Sequence, residues 1–555
     1  MGEFMVSKDE TDIVFSDGYT IKDLLFYDGI CYWWVIEGVL RNELIENNLS
    51  NYIHSRRIYQ LLYSIFGNII SLYGYFFRKI IVIISKINIS SRNPDKHAVN
   101  NSQVLVYGQP YHWRCVSNGS VASLKNIYYD NILDILNKKK IGVITTYSFP
   151  ETDIRIMIRY FKKYLEISRT YKYCCQQIFY YWDISIWKKE RVAGKYFSNA
   201  CSKIVENDQF VDFLSKKYSK DGGYVRFLIT YYVKYVIPRY VRYERMLSKM
   251  VVCNCPSAMI VSNEKSPEGC LWIYIGKYNN IPILSPQHGI FAGDLLGSSY
   301  DLTEFSSYFP ENILARPIPD VTTVWGTYEY DQLQQCAYPK DALLICGNPN
   351  YDSLVNNMQN IYSRNSFCNT YSINPNDRFI LWLTQSHSWG IQKTCQYFDE
   401  VYCSVASMTG VTLIIKQHPY ETPIHDKLIT KYVSMHGDVK CKILPKDGDV
   451  SEAIYSSDII VLENSTCGFE ALIMDKPLIV LDFSEKPDAG KYVMEGVAIG
   501  AFKKGSLKKA IEMSVSDSKD RKTARSQYIS RHLYKIDGHA SQRCADRLWD
   551  LINLR

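Results

Sequence analysis

The 555-residue sequence lacks the short signatures that hold phosphate or activate water in the commonest enzyme classes. It has no G-x-x-x-x-G-K-[ST] loop, no G-x-G-x-x-G, no H-E-x-x-H and no G-x-S-x-G. Kinase, dehydrogenase, zinc-protease and serine-hydrolase chemistry of those types is thereby set aside. Its sixteen cysteines include no C-x-x-C pair; Cys174 and Cys175 adjoin, and Cys253 and Cys255 are one residue apart. Neither spacing suits a zinc knuckle, and a chain of this length needs no disulfide staples. The cysteines read as free thiols in a reducing compartment. An excess of one charge is missing too: 64 basic and 57 acidic residues leave a net +7. That suits an anionic substrate or an anionic membrane surface and is too weak to imply nucleic acid. No basic segment followed by an apolar run opens the chain, so no secretory leader is expected and the expected location is cytoplasmic.

What is present is a globular composition, 46% hydrophobic and 22% charged, which argues against disorder. The length favours two large domains with extensions. The chain is organised around Ile459–Leu472. Ile459-Ile460-Val461-Leu462 is an apolar run short enough for a buried strand. Asn464-Ser465-Thr466 follows, residue types that cap a helix N-terminus and leave backbone N–H groups to bind an anion. Phe469, Leu472 and Ile473 come next at helical spacing, Asp475-Lys476-Pro477 stops the helix, and Leu478–Leu481 is a second apolar run. This is strand–turn–helix–strand, the crossover of a parallel sheet.

The same pattern predicts strands at 141–145, 258–262, 282–285, 322–326 and 343–347, with 151–250 mostly helical. After a polar break at 356–377 it resumes at 379–383, 411–416, 459–462 and 478–481. The predicted fold class is α/β, with two Rossmann-like doubly wound domains facing a central cleft and a helical N-terminal extension. The expected divisions are an extension at 1–105, an N-terminal domain at 106–355, a C-terminal domain at 356–530 and a C-terminal helix at 531–555. In the extension, Tyr32-Trp33-Trp34-Val35-Ile36 reads as core. Tyr59–Phe77 carries no charge and as a helix would span about 28 Å. Its Gln60, Asn68, Gly67 and Gly74, and the following Arg78-Lys79, favour a helix in the membrane interface or packed on the protein over a spanning one.

Three predicted C-terminal strands deliver polar clusters at their carboxyl ends: Thr384-Gln385-Ser386-His387, Lys416-Gln417-His418-Pro419 and Asn464-Ser465-Thr466. Ligands of open α/β sheets bind along that edge. Lys416 offers a point charge for phosphate and His418 a donor. Glu470, just inside the helix, is poorly placed for phosphate and suits neutral hydroxyls such as those of a ribose. With Gln385 and 464–466 these residues form the predicted nucleotide site. In the N-terminal domain, Gln287-His288-Gly289 ends a strand; Gly289 permits a tight turn that leaves His288 at the sheet's mouth, able to take a proton from an attacking hydroxyl. Glu264 ends another strand on the same side and ranks second as base. Singly, each residue also reads as structural: a helix cap, a turn, a satisfied histidine, a solvated carboxylate. The convergence of three loops on one edge is what favours function.

The string Asn464-Ser465-Thr466-x-Gly468-x-Glu470-Ala471 with Lys476-Pro477 resembles the donor-site signature of GT-B glycosyltransferases, whose Glu contacts the ribose and whose loop holds the phosphates. More specifically, the chain is similar to bacterial and archaeal surface- or capsular-polysaccharide transferases. That similarity runs through Ile281-Pro282, Gln287-His288-Gly289, Val324-Trp325-Gly326 and Gly347-Asn348-Pro349-x-Tyr351-Asp352. It continues with Lys416-x-His418-Pro419 and ends at Asp537-Gly538-x-Ala540-Ser541-x-Arg543. The His-Pro element and the Ser-Thr pair also resemble those of sialic acid and Kdo transferases that use CMP donors. The resemblance implies an inverting glycosyltransferase with its nucleotide-sugar donor on the C-terminal domain and a glycan or lipid-linked acceptor on the N-terminal one. The nucleotide sugar is a substrate and no cofactor is expected. No metal is expected either, because basic residues and helix N-termini stabilise the departing phosphate and no paired Asp residues suited to a metal are evident. A sugar-nucleotide 2-epimerase or polyol-phosphate transferase on the same scaffold, or a non-catalytic subunit of an assembly complex, are the alternatives. Association with the membrane surface is expected through 59–84.

Overall fold

Seven parallel strands form the N-terminal sheet. They are β1 (Gln103–Val106), β2 (Gly142–Tyr147), β3 (Cys174–Gln177), β4 (Ala258–Ile260), β5 (Ile283–Pro286), β6 (Val321–Val324) and β7 (Leu343–Ile345). Their order across the sheet is β7-β6-β5-β4-β1-β2-β3. The computed structural model describes parts of 15–44 and residues 102–554, except 109–112, 119–120, 148–153, 265, 290–304, 307–315, 336–337, 386–390, 419–420, 447, 485–486, 489 and 516–517. Strand residues alternate between two apolar layers. Val104, Val106, Ile260 and Leu284 enter one, and Leu105, Tyr107, Met259 and Ile283 enter the other. Burial on both faces is what makes parallel strands read as unbroken apolar runs.

The C-terminal sheet repeats the plan with six strands. They are β8 (Arg378–Leu383), β9 (Val411–Lys416), β10 (Cys441–Leu444), β11 (Ile459–Leu462), β12 (Leu478–Leu481) and β13 (Ile499–Ala501). The order is β10-β9-β8-β11-β12-β13, all parallel. Both sheets thus start at an inner strand, run outward one way, then return and run outward the other way. The reversal lies between β1 and β4 in the first sheet and between β8 and β11 in the second. Such a switch point opens a crevice at the carboxyl ends of the two strands. The doubly wound expectation holds for both sheets.

The polar stretch at 356–377 is not a break. It holds two helices, α1 (Asp352–Ile361) and α2 (Arg364–Tyr371), whose Leu354, Phe367 and Cys368 join the core of the C-terminal sheet. Few apolar residues suffice there because only one helix face is covered. Only part of the extension lies among the described residues. Its described part has a short helix (Ile21–Leu24) and an antiparallel strand pair, and β1 already begins at Gln103. Tyr32, Trp33, Val35 and Ile36 are buried in the N-terminal core as the sequence suggests. The segment 59–84 lies outside the described residues. Among those described, no helix is long and apolar enough to cross a membrane.

The last helix, α5 (Ala540–Asn553), crosses back to the first sheet. Its Cys544, Ala545 and Leu548 pack with Val104, Ile132, Leu133, Ile260 and Leu284. The Asp352 carboxylate accepts the N–H groups of Ala540 and Ser541 at 3.0 and 2.6 Å. Arg543 donates through Nε to the Cys346 carbonyl at 2.8 Å and pairs with Asp537. Gly538 sits at φ +69°, where a side chain would be strained, and a Cβ there would displace the Asn356 side chain, whose Oδ1 would lie 2.0 Å away. Two of the motifs that carry the resemblance, 347–352 and 537–543, therefore stitch the chain's return to the first domain.

The domains also meet directly. Trp325, at the carboxyl end of β6, joins the C-terminal core and stands perpendicular to Phe469 with ring centroids 6.0 Å apart. Phe469 lies in α3 (Cys467–Ile473), the helix that follows β11. Gly326 packs against the end of α4 (Lys519–Leu533), where a Cβ would come within 2.1 Å of the Arg531 carbonyl. The carboxyl edges of the two sheets are thus turned toward each other.

Candidate functional site

The three polar loops of the C-terminal domain leave β9, β8 and β11, which are adjacent. Side chains tie them together at the switch point. Gln385 donates through Nε2 to the Asn464 carbonyl at 2.6 Å and accepts the Asn464 N–H at 2.7 Å. Thr384, before it, accepts the His418 N–H at 3.3 Å and donates to Glu421 Oε1 at 2.6 Å. Lys416 is buried, and its ammonium donates to the carbonyls of Lys446 at 2.8 Å and Gln417 at 3.3 Å. It thereby draws the loop after β10 toward the loop after β9. Gln385, Lys416, His418, Asn464, Ser465, Thr466 and Glu470 are brought to one edge, as the sequence suggests. Ser386, His387 and Pro419 lie outside the described residues.

One expectation about this loop needs correcting. Few N–H groups are free at the start of α3. Those of Gly468 and Phe469 donate to the Ser465 and Thr466 carbonyls at 3.0 Å each, and that of Cys467 donates to Ser465 Oγ at 3.3 Å. Thr466, at the N-cap position, makes no side-chain capping bond. The tight turn closes on itself, so an anion here would be met by the hydroxyls of Ser465 and Thr466 more than by helix amides. The loop's shape is held from outside. Tyr492 donates to the Ser465 carbonyl at 2.9 Å, and Tyr351 to that of Thr466 at 3.3 Å.

Glu470 accepts a hydrogen bond from Ser451, at the start of the helix after β10. Burial raises its carboxyl to about 7; Asp449 adds to the rise and the Ser451 hydroxyl opposes it. Stability owed to a raised carboxyl is full below its unfolded value, here 4.5, and is lost as pH climbs through about 7. Glu470→Gln is therefore expected to raise the melting temperature at about pH 8 and to change it little at about pH 5. An equal change at both would contradict this account of Glu470.

On the N-terminal side, His288 is exposed beyond β5, its ring edge-on to Tyr128 at 6.3 Å. Glu264 lies elsewhere. Its carboxylate accepts from Thr322 Oγ1 at 3.1 Å, and Thr322 contacts the Tyr338 hydroxyl at 2.7 Å. The Tyr338 hydroxyl is pushed well up by burial and by Glu264. Glu264 is thus engaged with hydroxyls of β6 and of the segment before β7, while His288 stands at the mouth. Sequence reasoning missed Thr384, Tyr351, Tyr492 and Ser451. The first two sit inside motifs already noted; Tyr492 and Ser451 carry no local signal, since their partners lie 27 and 19 residues away. Among the described residues, no group of three or more His, Cys, Asp or Glu gathers as metal ligands would.

Two doubly wound parallel sheets meeting at their carboxyl edges make this an α/β protein of GT-B-like architecture, with a surface-polysaccharide signature on its second domain. A family model described as capsule polysaccharide biosynthesis protein matches residues 385–496. That span contains Gln385, Lys416, His418, Asn464, Ser465, Thr466 and Glu470. No curated protein matches the sequence. Similar solved structures include S. aureus MnaA with UDP, 14% identical over 82% of this chain and 98% of that one, TM-score 0.48. Others are a UDP-GlcNAc 2-epimerase from Neisseria meningitidis bound to UDP-GlcNAc (13% identity, 81% and 100% coverage, TM-score 0.47) and the wall teichoic acid polymerase TagF (12%, 86% and 98%, TM-score 0.43).

Proposed function

We propose that the protein is a glycosyltransferase of surface-polysaccharide biosynthesis that moves a sugar from a nucleotide donor to a glycan or lipid-linked acceptor with inversion. The observation that carries this reading is the set of three adjacent strand-end loops bound to one another at the C-terminal switch point, within the span that matches the capsule family. The donor lies along 385, 416–418 and 464–470. Ser465 and Thr466 meet the phosphates, and Glu470, its carboxyl raised by burial to about 7, meets neutral hydroxyls of the nucleoside. The acceptor lies on the N-terminal edge, where His288 takes the proton of the attacking hydroxyl as the glycosidic bond forms and the nucleotide departs.

The test is nucleotide release from UDP-, GDP-, CDP-, CMP- and dTDP-sugars, with octyl glycosides as acceptors and the products analysed. A glycosylated acceptor supports the reading. A free epimerised sugar formed without acceptor would make the protein a 2-epimerase, a phosphodiester product would make it a polyol-phosphate transferase, and no turnover at all would leave a non-catalytic assembly subunit. Activity is expected to survive EDTA in full. Complete loss, restored by Mg²⁺ or Mn²⁺, would overturn metal independence.

A further inference from the structure

Between His288 and the nucleotide-side helix α3 stand two buried residues that the reading above leaves without a task, Gln287 and Trp325. Gln287 continues the sheet, its N–H donating to the Thr323 carbonyl at 2.9 Å. Its Oε1 accepts the Trp325 N–H at 2.8 Å, and its carbonyl accepts the Trp325 indole N–H at 3.1 Å. Its Nε2 donates to the Gly289 carbonyl at 2.8 Å. The backbone is therefore fastened on both sides of His288, before it through Trp325 and after it through Gly289. The same indole stands perpendicular to Phe469, the residue before Glu470. An indole is rigid, with two side-chain torsions, so whatever fixes it on one side fixes it on the other.

We propose that Gln287 is a positioning residue that holds His288 in register with the donor-side helix α3, using Trp325 as the spacer. The inference rests on His288 acting as the base. Its physical content is that the base loop, besides its bond to its own sheet, is pinned to a ring packed in the opposite domain's core. A misplacement of about 1 Å at a reacting centre costs up to about 10²-fold in rate.

The experiment is a double-mutant cycle on nucleotide release, using the panel named above and the donor that the wild type turns over fastest. The variants are Gln287→Ala, Trp325→Phe and His288→Ala, together with each of the first two combined with His288→Ala. Trp325→Phe removes the indole N–H together with one of its two fused rings and keeps a ring on Phe469, so it serves if Gln287→Ala does not fold. Gln287→Ala is expected to lower kcat by about 10- to 100-fold with donor KM nearly unchanged. Trp325→Phe should lower it less. Neither should lower it further once His288 is gone, because a positioning residue has nothing left to position. Equal losses in the presence and absence of His288 would show a merely structural role and overturn the inference alone. So would an unchanged kcat in both folded single variants. An unchanged kcat in His288→Ala, or no turnover by the wild type, would overturn the underlying reading and the inference with it.

Discussion

His288→Ala is expected to cut turnover by about 10²–10⁴-fold, the usual contribution of a positioned base. Donor affinity should hardly change if, as proposed, the donor rests on the other domain's loops. Loss of turnover with binding spared is the pattern of a group that acts only in the transition state. The geometry favours His288 over Glu264: the histidine is exposed at the sheet's mouth, whereas the carboxylate is engaged with Thr322. Glu264→Gln is the control. If it alone loses turnover while His288→Ala loses donor binding, the two roles are reversed. If neither lowers turnover by about tenfold in a folded protein, well short of a positioned base, the base lies in the first 250 residues, to which no role has been assigned, and the acceptor site is misplaced.

Ser465→Ala combined with Thr466→Ala should weaken nucleotide binding to a similar degree. Each hydroxyl lost to a charged phosphate costs about 1.5–3 kcal/mol, so the pair should raise Kd by about 10²–10⁴-fold. The closed turn before α3 sharpens this expectation, since the amides of Cys467, Gly468 and Phe469 are already engaged and the proposed phosphate contact falls largely to the hydroxyls. The loop itself should survive loss of the Cys467 N–H to Ser465 Oγ bond, because Gln385, Tyr492 and Tyr351 hold its backbone. Calorimetric titration with the preferred nucleotide measures the change. An unaltered Kd in a folded double variant would remove the donor from this loop.

The strands that could be read from the sequence are mostly those covered on both faces. Ile459–Leu462 and Leu478–Leu481 are buried throughout and stand out as apolar runs. β3, β10 and β13 are edge strands and escaped notice. In β10 three of four residues are only half-buried, and β13 is three residues long with a glycine at its centre. β1 is central yet was hidden, because its short run follows a long polar stretch. The site was legible as a set of loops, since each polar cluster directly follows an apolar run. Individual roles were not. Lys416 reads as a phosphate ligand, but that its ammonium also donates to the Lys446 carbonyl, 30 residues on, and that Gln385 also bonds Asn464, 79 residues away, cannot be read from spacing. Such pairings depend on tertiary closure, to which local spacing is blind.

The return of the C-terminal helix sets an order on biosynthesis. The first sheet is encoded by 103–345, yet one of its two faces is finished by Cys544, Ala545 and Leu548. A nascent chain therefore leaves Val104, Ile260 and Leu284 without that cover until 540–553 have been made, long after the strands that bear them. The first domain cannot complete its core before the second domain, which lies between its two parts in sequence, has been synthesised. A chain cut just before Ala540 would lose a wall of the distant domain while leaving all six strands of the C-terminal sheet intact.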